Sequence, residues 1–246
     1  MLFFPPPLIA GNMKLGKAIW HFALPAGKTC PGESIGEGGC AEDCYAKGGH
    51  YLLASVQRRY ELNDKLRNEA DFAYRVRQQI RLETVQTVRI HSSGDFDSVG
   101  YTDLWRKIAT TVPTTKFYAY TRSWRDRDGN VSKSMLVALT KLAKLRNVQL
   151  WFSCDAVTGP PPETAGVLRA YLTDNLEPAS FPVDLVFRKT RKEYAVTIGD
   201  ALVCPVERKK RKVTQISRLT CNTCRLCFDR ADWLQERNQK TINMQG

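Results

Sequence analysis

Hydrophobic positions along the chain alternate between a helical spacing and shorter continuous runs. In Ser55–Leu82, apolar residues such as Phe72, Val76 and Ile80 recur at the four-residue spacing of an amphipathic helix. Short runs rich in β-branched and aromatic residues separate the helical segments and predict strands. The predicted strands are 17–23, 87–91, 116–121, 147–154, 183–187 and 194–198, and the predicted helices are 55–82, 101–111, 132–145 and 163–175.

This order of elements predicts an α/β protein with a parallel sheet, because strands alternate with helices of 10–15 residues. About six strands are fewer than a closed eight-stranded barrel needs, so we expect an incomplete (βα)6-type parallel barrel over residues 1–200. Residues 201–246 form a cysteine-rich C-terminal extension in this interpretation. Functional side chains should lie at the carboxyl ends of the strands. The segments at those ends are 30–45, 91–97, 121–125 and 154–155.

The composition allows a folded core and argues against a membrane protein. The chain has 246 residues, of which 43% are hydrophobic, and no stretch approaches the ~20 consecutive apolar residues of a membrane span. Three prolines interrupt the apolar segment Met1–Ala10, and no basic segment precedes it, so it is not expected to be a secretory signal. We therefore expect a cytoplasmic protein that does not bind membranes.

Eight cysteines are the first sign of chemistry, and seven of them fall into two groups near the two ends of the chain. A disulfide framework is not expected without a secretory signal, because the cytosol keeps thiols reduced. Clustered cytosolic cysteines more often bind metal. The eighth, Cys154, stands apart from both groups, and its role stays open.

The C-terminal group consists of Cys204 followed by the run Cys221-x-x-Cys224-x-x-Cys227. Three cysteines separated by two residues each are a ferredoxin-like pattern, and Cys204 completes a set of four thiolates. Such a set closes either a [4Fe–4S] cluster or a zinc site. Zinc more often uses two separated pairs, so the triple run favours iron–sulfur.

The N-terminal group has the spacing Cys30-x9-Cys40-x3-Cys44 and lies in a glycine-rich loop after the first predicted strand. Three thiolates leave one coordination position open. In catalytic zinc sites the open position binds water or substrate, so by analogy this group predicts a reactive site. A fourth protein ligand would instead make the site structural. The candidates for that ligand are Asp43, His50 and Cys154.

Three cysteines after the first strand of an incomplete barrel resemble the radical S-adenosylmethionine (SAM) enzymes. The resemblance implies that the open iron binds the amino and carboxylate groups of SAM. It also implies that Ser93, Gly94 and Asp95, in a turn after the second strand, bind SAM as a Gly-Gly-Glu-like turn does in that family. The spacing of the three cysteines is longer than the family's usual Cys-x3-Cys-x2-Cys, and the aromatic Tyr45 follows Cys44 instead of preceding it.

Over nearly its whole length the chain more specifically resembles the "gene product 88" proteins of phages and plasmids. The resemblance implies an origin in a mobile element and a cytoplasmic location in a bacterial host, but no activity. The matching segments are 14–17, 24–31, 44–46, 91–96, 117–121 and 221–228.

The charge of the chain predicts a polyanionic partner. The formal net charge is +12, and residues 188–218 contain ten Lys or Arg against three acidic residues. Basic runs of this kind are typical of contacts with the phosphate backbone of DNA or RNA, although a solvated surface loop is the alternative. Trp124 lies among arginines and either stacks on a base or forms an exposed aromatic rim. The predicted nucleic-acid contacts are Arg188, Lys189, Arg191, Lys192, Arg208, Lys209, Lys210, Arg211, Lys212 and Trp124.

A second candidate constellation follows the predicted strands and consists of His91, Asp95, Asp97 and Asp155, of which His91, Asp95 and Asp155 are the predicted catalytic residues. If their side chains converge, they hold a divalent ion that activates water for phosphodiester cleavage. Alternatively, the aspartates are turn formers or helix caps.

Three functions follow from these residues. The first is a radical-SAM-like enzyme that carries one or two [4Fe–4S] clusters and modifies nucleic acid. The second is an iron–sulfur-containing DNA nuclease that depends on a divalent metal ion. The third is a non-catalytic, redox-sensitive protein that binds DNA or RNA.

Overall fold

The structure, a computed structural model, describes residues 5–36, 39–173, 178–188, 196–206 and 219–229. In these residues nine strands form one sheet, accompanied by five helices and two short 3-10 turns, Tyr45–Lys47 and Gly49–Leu52. The strands are β1 (Ile9–Ala10), β2 (Ile19–His21), β3 (Thr87–Ile90), β4 (Lys116–Thr121), β5 (Val148–Cys154), β6 (Val167–Thr173), β7 (Leu185–Arg188), β8 (Thr197–Ile198) and β9 (Ala201–Val203). The helices are α1 (Ala54–Leu66), α2 (Phe72–Leu82), α3 (Val99–Thr111), α4 (Lys133–Ala143) and α5 (Cys221–Cys224).

The strand order is β1-β2-β3-β4-β5-β6-β7-β9-β8. Strands β2 to β7 and β9 run parallel to their neighbours, and only the outermost pairs, β1 with β2 and β8 with β9, are antiparallel. The predicted α/β class with a mostly parallel sheet is therefore confirmed. Most strands lie beside the strand that precedes them in the chain, which is also the strand order of a barrel. In the described residues, however, β1 and β8 form the two edges of the sheet.

Alternating side chains divide the sheet into two faces. Along β4, Phe117 and Ala119 point into the main core, which lies under the helices, while Tyr118 and Tyr120 point to the opposite face. We call this opposite face the cysteine face, because residues 219–229 lie on it. The largest fully buried side chains of the main core include Phe22, Phe72, Trp105, Phe117 and Phe152.

The C-terminal segment is fixed to the cysteine face by backbone and ring contacts. The Cys221 backbone N–H donates to the carbonyl of Lys14, beside β2. The Trp151 indole on β5 donates to the carbonyl of Cys227 at 3.0 Å. The Phe228 ring lies 5.5 Å from the Tyr118 ring on β4. These contacts place the cysteine run against three strands of the sheet.

The predicted helix over 163–175 is wrong, because Val167–Thr173 is strand β6. This segment pairs with β5 on one side and β7 on the other, and its residues include Val167, Tyr171 and Thr173, which suit strands. Tertiary pairing on both sides outweighs the weak helical pattern. Residues 174 and 175 lie outside the described residues.

The predicted single helix over 55–82 is two helices, α1 and α2. In the break, the Asn68 side chain donates to the Asp64 carbonyl at 2.7 Å, a local bond that competes with the helical pattern. The Arg67 side chain binds the carboxylates of Asp64 and Asp97, which fixes the turn to the loop after β3. The last predicted strand corresponds in part to β8, with residues 194 and 195 outside the described ranges.

Among the helices that the structure describes, none has the length and apolar character needed to cross a membrane.

Candidate cysteine site at the carboxyl edge of the sheet

The loop that carries Cys30, Cys40 and Cys44 packs against the carboxyl ends of the central strands. Its first part is bound to the turn after β3: the Leu24 N–H donates to the Ser93 carbonyl at 2.8 Å, and the Asp95 N–H donates to the Thr29 carbonyl at 3.1 Å. Gly94 lies between them with φ +76°, and a Cβ there would lie 2.6 Å from the Leu24 Cβ. Only glycine combines this conformation with so close an approach.

A buried polar chain connects the middle of the cysteine loop to the ends of β4 and β5. The Arg122 guanidinium forms an ion pair with Asp155, whose side chain is 1% exposed. The Ser34 hydroxyl donates to the same carboxylate at 2.8 Å, and the Cys40 N–H donates to the Ser34 hydroxyl at 2.6 Å. Asp155 is therefore a positioning residue for Cys40 in this arrangement.

The backbone of the loop favours ionisation of the thiols in the N-terminal group. The Ser34 N–H donates to the Cys40 Sγ at 3.4 Å. Backbone hydrogen bonds at Gly27 and at Ala46–Lys47 lower the pKa values of Cys30 and Cys44 against the opposing effect of burial. Hydrogen bonds from backbone N–H groups to sulfur are a means by which proteins stabilise thiolate ligands.

Burial nevertheless dominates the ionisation of Cys30 and Cys44. It raises the pKa of Cys30 to about 12, assisted by the negative charge of Asp95, and it raises the pKa of Cys44 as well. At neutral pH these side chains are protonated thiols in the absence of a cation. Coordination of a metal deprotonates a thiol outright, so the ligand form of this site is created by the metal.

The C-terminal cysteines gather on the cysteine face around Cys227. The Tyr120 hydroxyl lies 2.8 Å from the Cys227 Sγ, and Cys227 packs with Cys204 in the hydrophobic cluster around Trp151. Burial raises the pKa of Cys227 well above its ordinary value, and the other three cysteines of the group raise it further. None of the eight cysteines, all of which lie within the described ranges, forms a disulfide bond.

Helix α5 sets the spacing of the C-terminal run. Thr220 caps its amino end in a reciprocal hydrogen-bond pair with Thr223, and Arg225 ends it in the left-handed conformation with φ +63°. The turn directs the chain back toward Cys227. Across the described ranges, no three His, Cys, Asp or Glu side chains are arranged to hold a single metal ion.

The structure does not bring His91, Asp95 and Asp155 together as one metal site. The His91 imidazole lies 2.9 Å from the Tyr101 hydroxyl inside an aromatic cluster, and burial lowers its pKa to about 3. Asp95 accepts hydrogen bonds from the backbone N–H groups of Phe96 and Arg122, and burial raises its pKa to about 6. Asp95 and Asp155 therefore both hold loops in place.

The predicted stacking or rim position of Trp124 is wrong, because its side chain is buried in the main core at 3% exposure. The indole N–H donates to the Ser153 carbonyl at 3.1 Å. Arg188 is also buried, at 9% exposure, which does not suit a surface phosphate contact. The other predicted nucleic-acid contacts, Lys189, Arg191, Lys192, Arg208, Lys209, Lys210, Arg211 and Lys212, lie outside the described residues.

Replacing Trp124 with phenylalanine should therefore reduce stability without a selective effect on nucleic-acid binding. The substitution leaves the Ser153 carbonyl without its donor and shrinks a core side chain, at a cost of about 1–3 kcal/mol. Urea unfolding and binding to single-stranded DNA at fixed salt measure the two effects. The exposed Tyr74 provides the control Tyr74→Phe, which should change neither. A large loss of DNA affinity in stable Trp124→Phe would restore the stacking hypothesis.

Sequence reasoning missed the residues that hold the cysteine loop. Ser34 and Arg122 contact Asp155 from 121 and 33 positions away, and no spacing pattern connects them. The glycine content of the loop was the only local signal, since Gly32 lies where a Cβ would meet the Arg122 carbonyl at 1.9 Å.

Comparison with known proteins identifies the family. The family model described as "Gene product 88" matches residues 7–230. The "Gene 88 protein" of Mycobacterium phage L5 is 27% identical over 232 residues, covering 89% of this chain and 86% of the phage protein. No solved structure matches the chain. The match covers most of the chain and both cysteine groups, and it shows that this protein belongs to the gene product 88 family.

Proposed function

We propose that this protein is an iron–sulfur enzyme of radical-SAM-like type that acts on nucleic acid. Cys30, Cys40 and Cys44 hold a reactive [4Fe–4S] cluster with one open coordination position. The four C-terminal cysteines hold a second, auxiliary cluster on the cysteine face. When bound, the first cluster would supply one electron to SAM, which cleaves to methionine and a 5′-deoxyadenosyl radical. That radical would take a hydrogen atom from the nucleic-acid substrate and so become 5′-deoxyadenosine.

The observation that carries this proposal is the placement of three thiols in one loop, which backbone hydrogen bonds hold to the turn after β3. Within this loop the Ser34 N–H is directed at the Cys40 Sγ. The thiolates of a cubane cluster bind separate irons, so they do not need the tight convergence of ligands on one zinc ion. The donor set is therefore suited to a cluster.

Ser93 and Asp95, in the turn after β3, have different roles in this assignment. Ser93 lies in the turn that the SAM resemblance singles out, and its buried hydroxyl makes no hydrogen bond within the described ranges. It is therefore the residue of the turn that is available to the amino group of SAM. Asp95, in contrast, already uses both carboxylate oxygens on backbone N–H groups, so we assign it to holding the turn.

Nucleic acid is the proposed substrate class because of charge. The net charge of +12 attracts a polyanion and raises its local concentration around the protein. The name of the phage relative specifies no substrate, so nucleic acid is proposed from the charge of the chain alone.

Mössbauer and EPR spectra of anaerobically purified, iron-57-enriched protein test the proposal. We expect two [4Fe–4S] clusters, one of which changes its spectrum when SAM is added. Reductive release of 5′-deoxyadenosine should accompany that change. Clusters that ignore SAM, together with nucleic-acid affinity that depends on cluster oxidation, would instead indicate the non-catalytic redox-sensitive binder. A protein without iron would overturn both interpretations.

A further inference from the structure

An aromatic and basic surface lies directly beside the N-terminal cysteines, and the proposed cluster chemistry does not use it. We call it the tyrosine–arginine patch, and it consists of Tyr45, Tyr51 and Arg89. Tyr45 follows Cys44 in the chain and is 58% exposed. The rings of Tyr45 and Tyr51 meet edge to face with centroids 5.4 Å apart. Tyr51 is half-buried, and the His50 ring packs against it with centroids 4.2 Å apart. The exposed ring on which a planar ligand can stack is therefore that of Tyr45.

Two hydrogen bonds hold the Tyr45 side chain of the patch in place. The Tyr45 hydroxyl donates to the carbonyl of Ser92 at 2.7 Å, in the turn after β3. The Arg89 Nη2 donates to the same hydroxyl at 3.3 Å. Tyr45 is therefore held by its hydroxyl while its ring stays exposed, so stacking on it requires little loss of side-chain freedom.

Among the described residues, the positive charge of Arg89 has no carboxylate partner. Arg89 lies half-buried on β3, and its guanidinium donates to the Tyr45 hydroxyl. Its Nε–H is buried and makes no hydrogen bond there, and the hydroxyl of its cross-strand neighbour Tyr118 is in the same state. A guanidinium removed from water without an anion is costly. An anionic ligand would satisfy the unused hydrogen-bonding capacity of this group.

The surroundings of Arg89 reinforce the need for an anion. Burial lowers the pKa of His21 to about 4, and the positive charges of Arg89 and Arg59 lower it further. Burial raises the pKa of Tyr51, while the positive charges of Arg89 and Lys14 oppose that rise. Several cations thus act on one small region at the edge of the sheet.

We propose that the tyrosine–arginine patch binds a phosphate-bearing nucleoside, with Arg89 on the phosphate, the exposed ring of Tyr45 stacked on the base and Tyr51 supporting the Tyr45 ring from its edge. Guanidinium groups bind phosphate through paired, charge-assisted hydrogen bonds, and tyrosine rings stack on any base. This inference rests on the proposed function, since it names the substrate contact next to the reactive cysteine loop. The binding itself requires no cluster chemistry.

Calorimetric titration of the anaerobically purified full chain tests the inference. Thymidine 5′-monophosphate should bind about tenfold or more tightly than thymidine, because hydrogen bonds to a charged group add this much. Arg89→Gln should abolish that difference between monophosphate and nucleoside, while Arg89→Lys should retain part of it. The control Arg75→Gln, on the exposed side of α2, should bind as the wild type does. Circular dichroism verifies that each variant is folded.

A single-stranded oligothymidylate distinguishes the two sources of the phosphate. Tighter binding of the strand than of the monophosphate identifies nucleic acid, and equal binding identifies a free nucleotide. The inference is overturned if thymidine binds as well as its monophosphate, or if folded Arg89→Gln binds the monophosphate as the wild type does. Binding that depends on Arg89 in a protein without iron would leave this inference intact and would refute the proposed function.

Discussion

Replacing Cys44 with alanine is expected to abolish SAM cleavage and to remove about half of the bound iron, from about eight to about four atoms per chain. Cys44 is one of three ligands of the proposed reactive cluster, and no other thiol belongs to that loop besides Cys30 and Cys40. Two thiolates do not retain a cluster that three hold with an open position. Iron and sulfide analysis, followed by measurement of 5′-deoxyadenosine, gives both quantities.

Two matched variants separate this effect from general damage. Cys154→Ala removes a buried thiol whose only described hydrogen bond is a long one, 3.5 Å, to the Ala170 carbonyl, and it should retain all the iron. Cys224→Ala should remove the auxiliary cluster and leave the spectrum of the reactive cluster unchanged. Equal iron in Cys44→Ala and in Cys154→Ala would show that the N-terminal loop holds no cluster.

Replacing Asp155 with asparagine should destabilise the fold by about 3–5 kcal/mol, because it leaves the buried Arg122 guanidinium without its counter-charge. Urea unfolding at neutral pH under reducing conditions measures the loss. The surface pair Arg106–Asp103, with both side chains 34% exposed, provides the control Asp103→Asn, for which we expect less than about 1 kcal/mol. Similar losses in the two variants would contradict the assignment of Asp155 to a buried ion pair.

The pH dependence of the same variant follows from the ionisation of Asp155. Burial opposes ionisation, but Arg122 and hydrogen bonds from Thr158 and Ser34 outweigh it, so the pKa of Asp155 lies below its ordinary value. A depressed folded-state pKa stabilises the protein above the unfolded pKa of about 4, and this contribution disappears as the pH falls further. The stability difference between wild type and Asp155→Asn should therefore shrink below pH ~4.

Asp155 also connects stability to the cysteine site. Its carboxylate holds Ser34, and Ser34 accepts the Cys40 N–H. The variant should therefore lose iron from the reactive cluster more easily than from the auxiliary one. A residue first considered for metal-assisted hydrolysis thus has a structural explanation in the ion pair with Arg122.

The sequence determined the features that depend on local spacing. The strands Lys116–Thr121 and Val148–Cys154 carry strong runs of β-branched and aromatic residues, and the helix Val99–Thr111 carries a clear apolar stripe. The two cysteine groups were equally visible, since thiol spacing is a property of the chain itself. Local spacing could not identify β6, because its strand conformation depends on two neighbours that pair with it in the sheet.

Tertiary structure alone decided what each polar residue does. The sequence places His91, Asp95 and Asp155 at the same edge of the sheet, but the fold directs His91 into an aromatic cluster and Asp155 onto Arg122. The neighbouring arginines in the sequence predict that Trp124 is an exposed ring, but its side chain is buried in the structure. The exposed ring next to a cation is instead Tyr45 beside Arg89, two residues 44 positions apart. Burial and partners arise when distant strands come together, so the sequence by itself fixes the inventory of reactive groups and only packing assigns their roles.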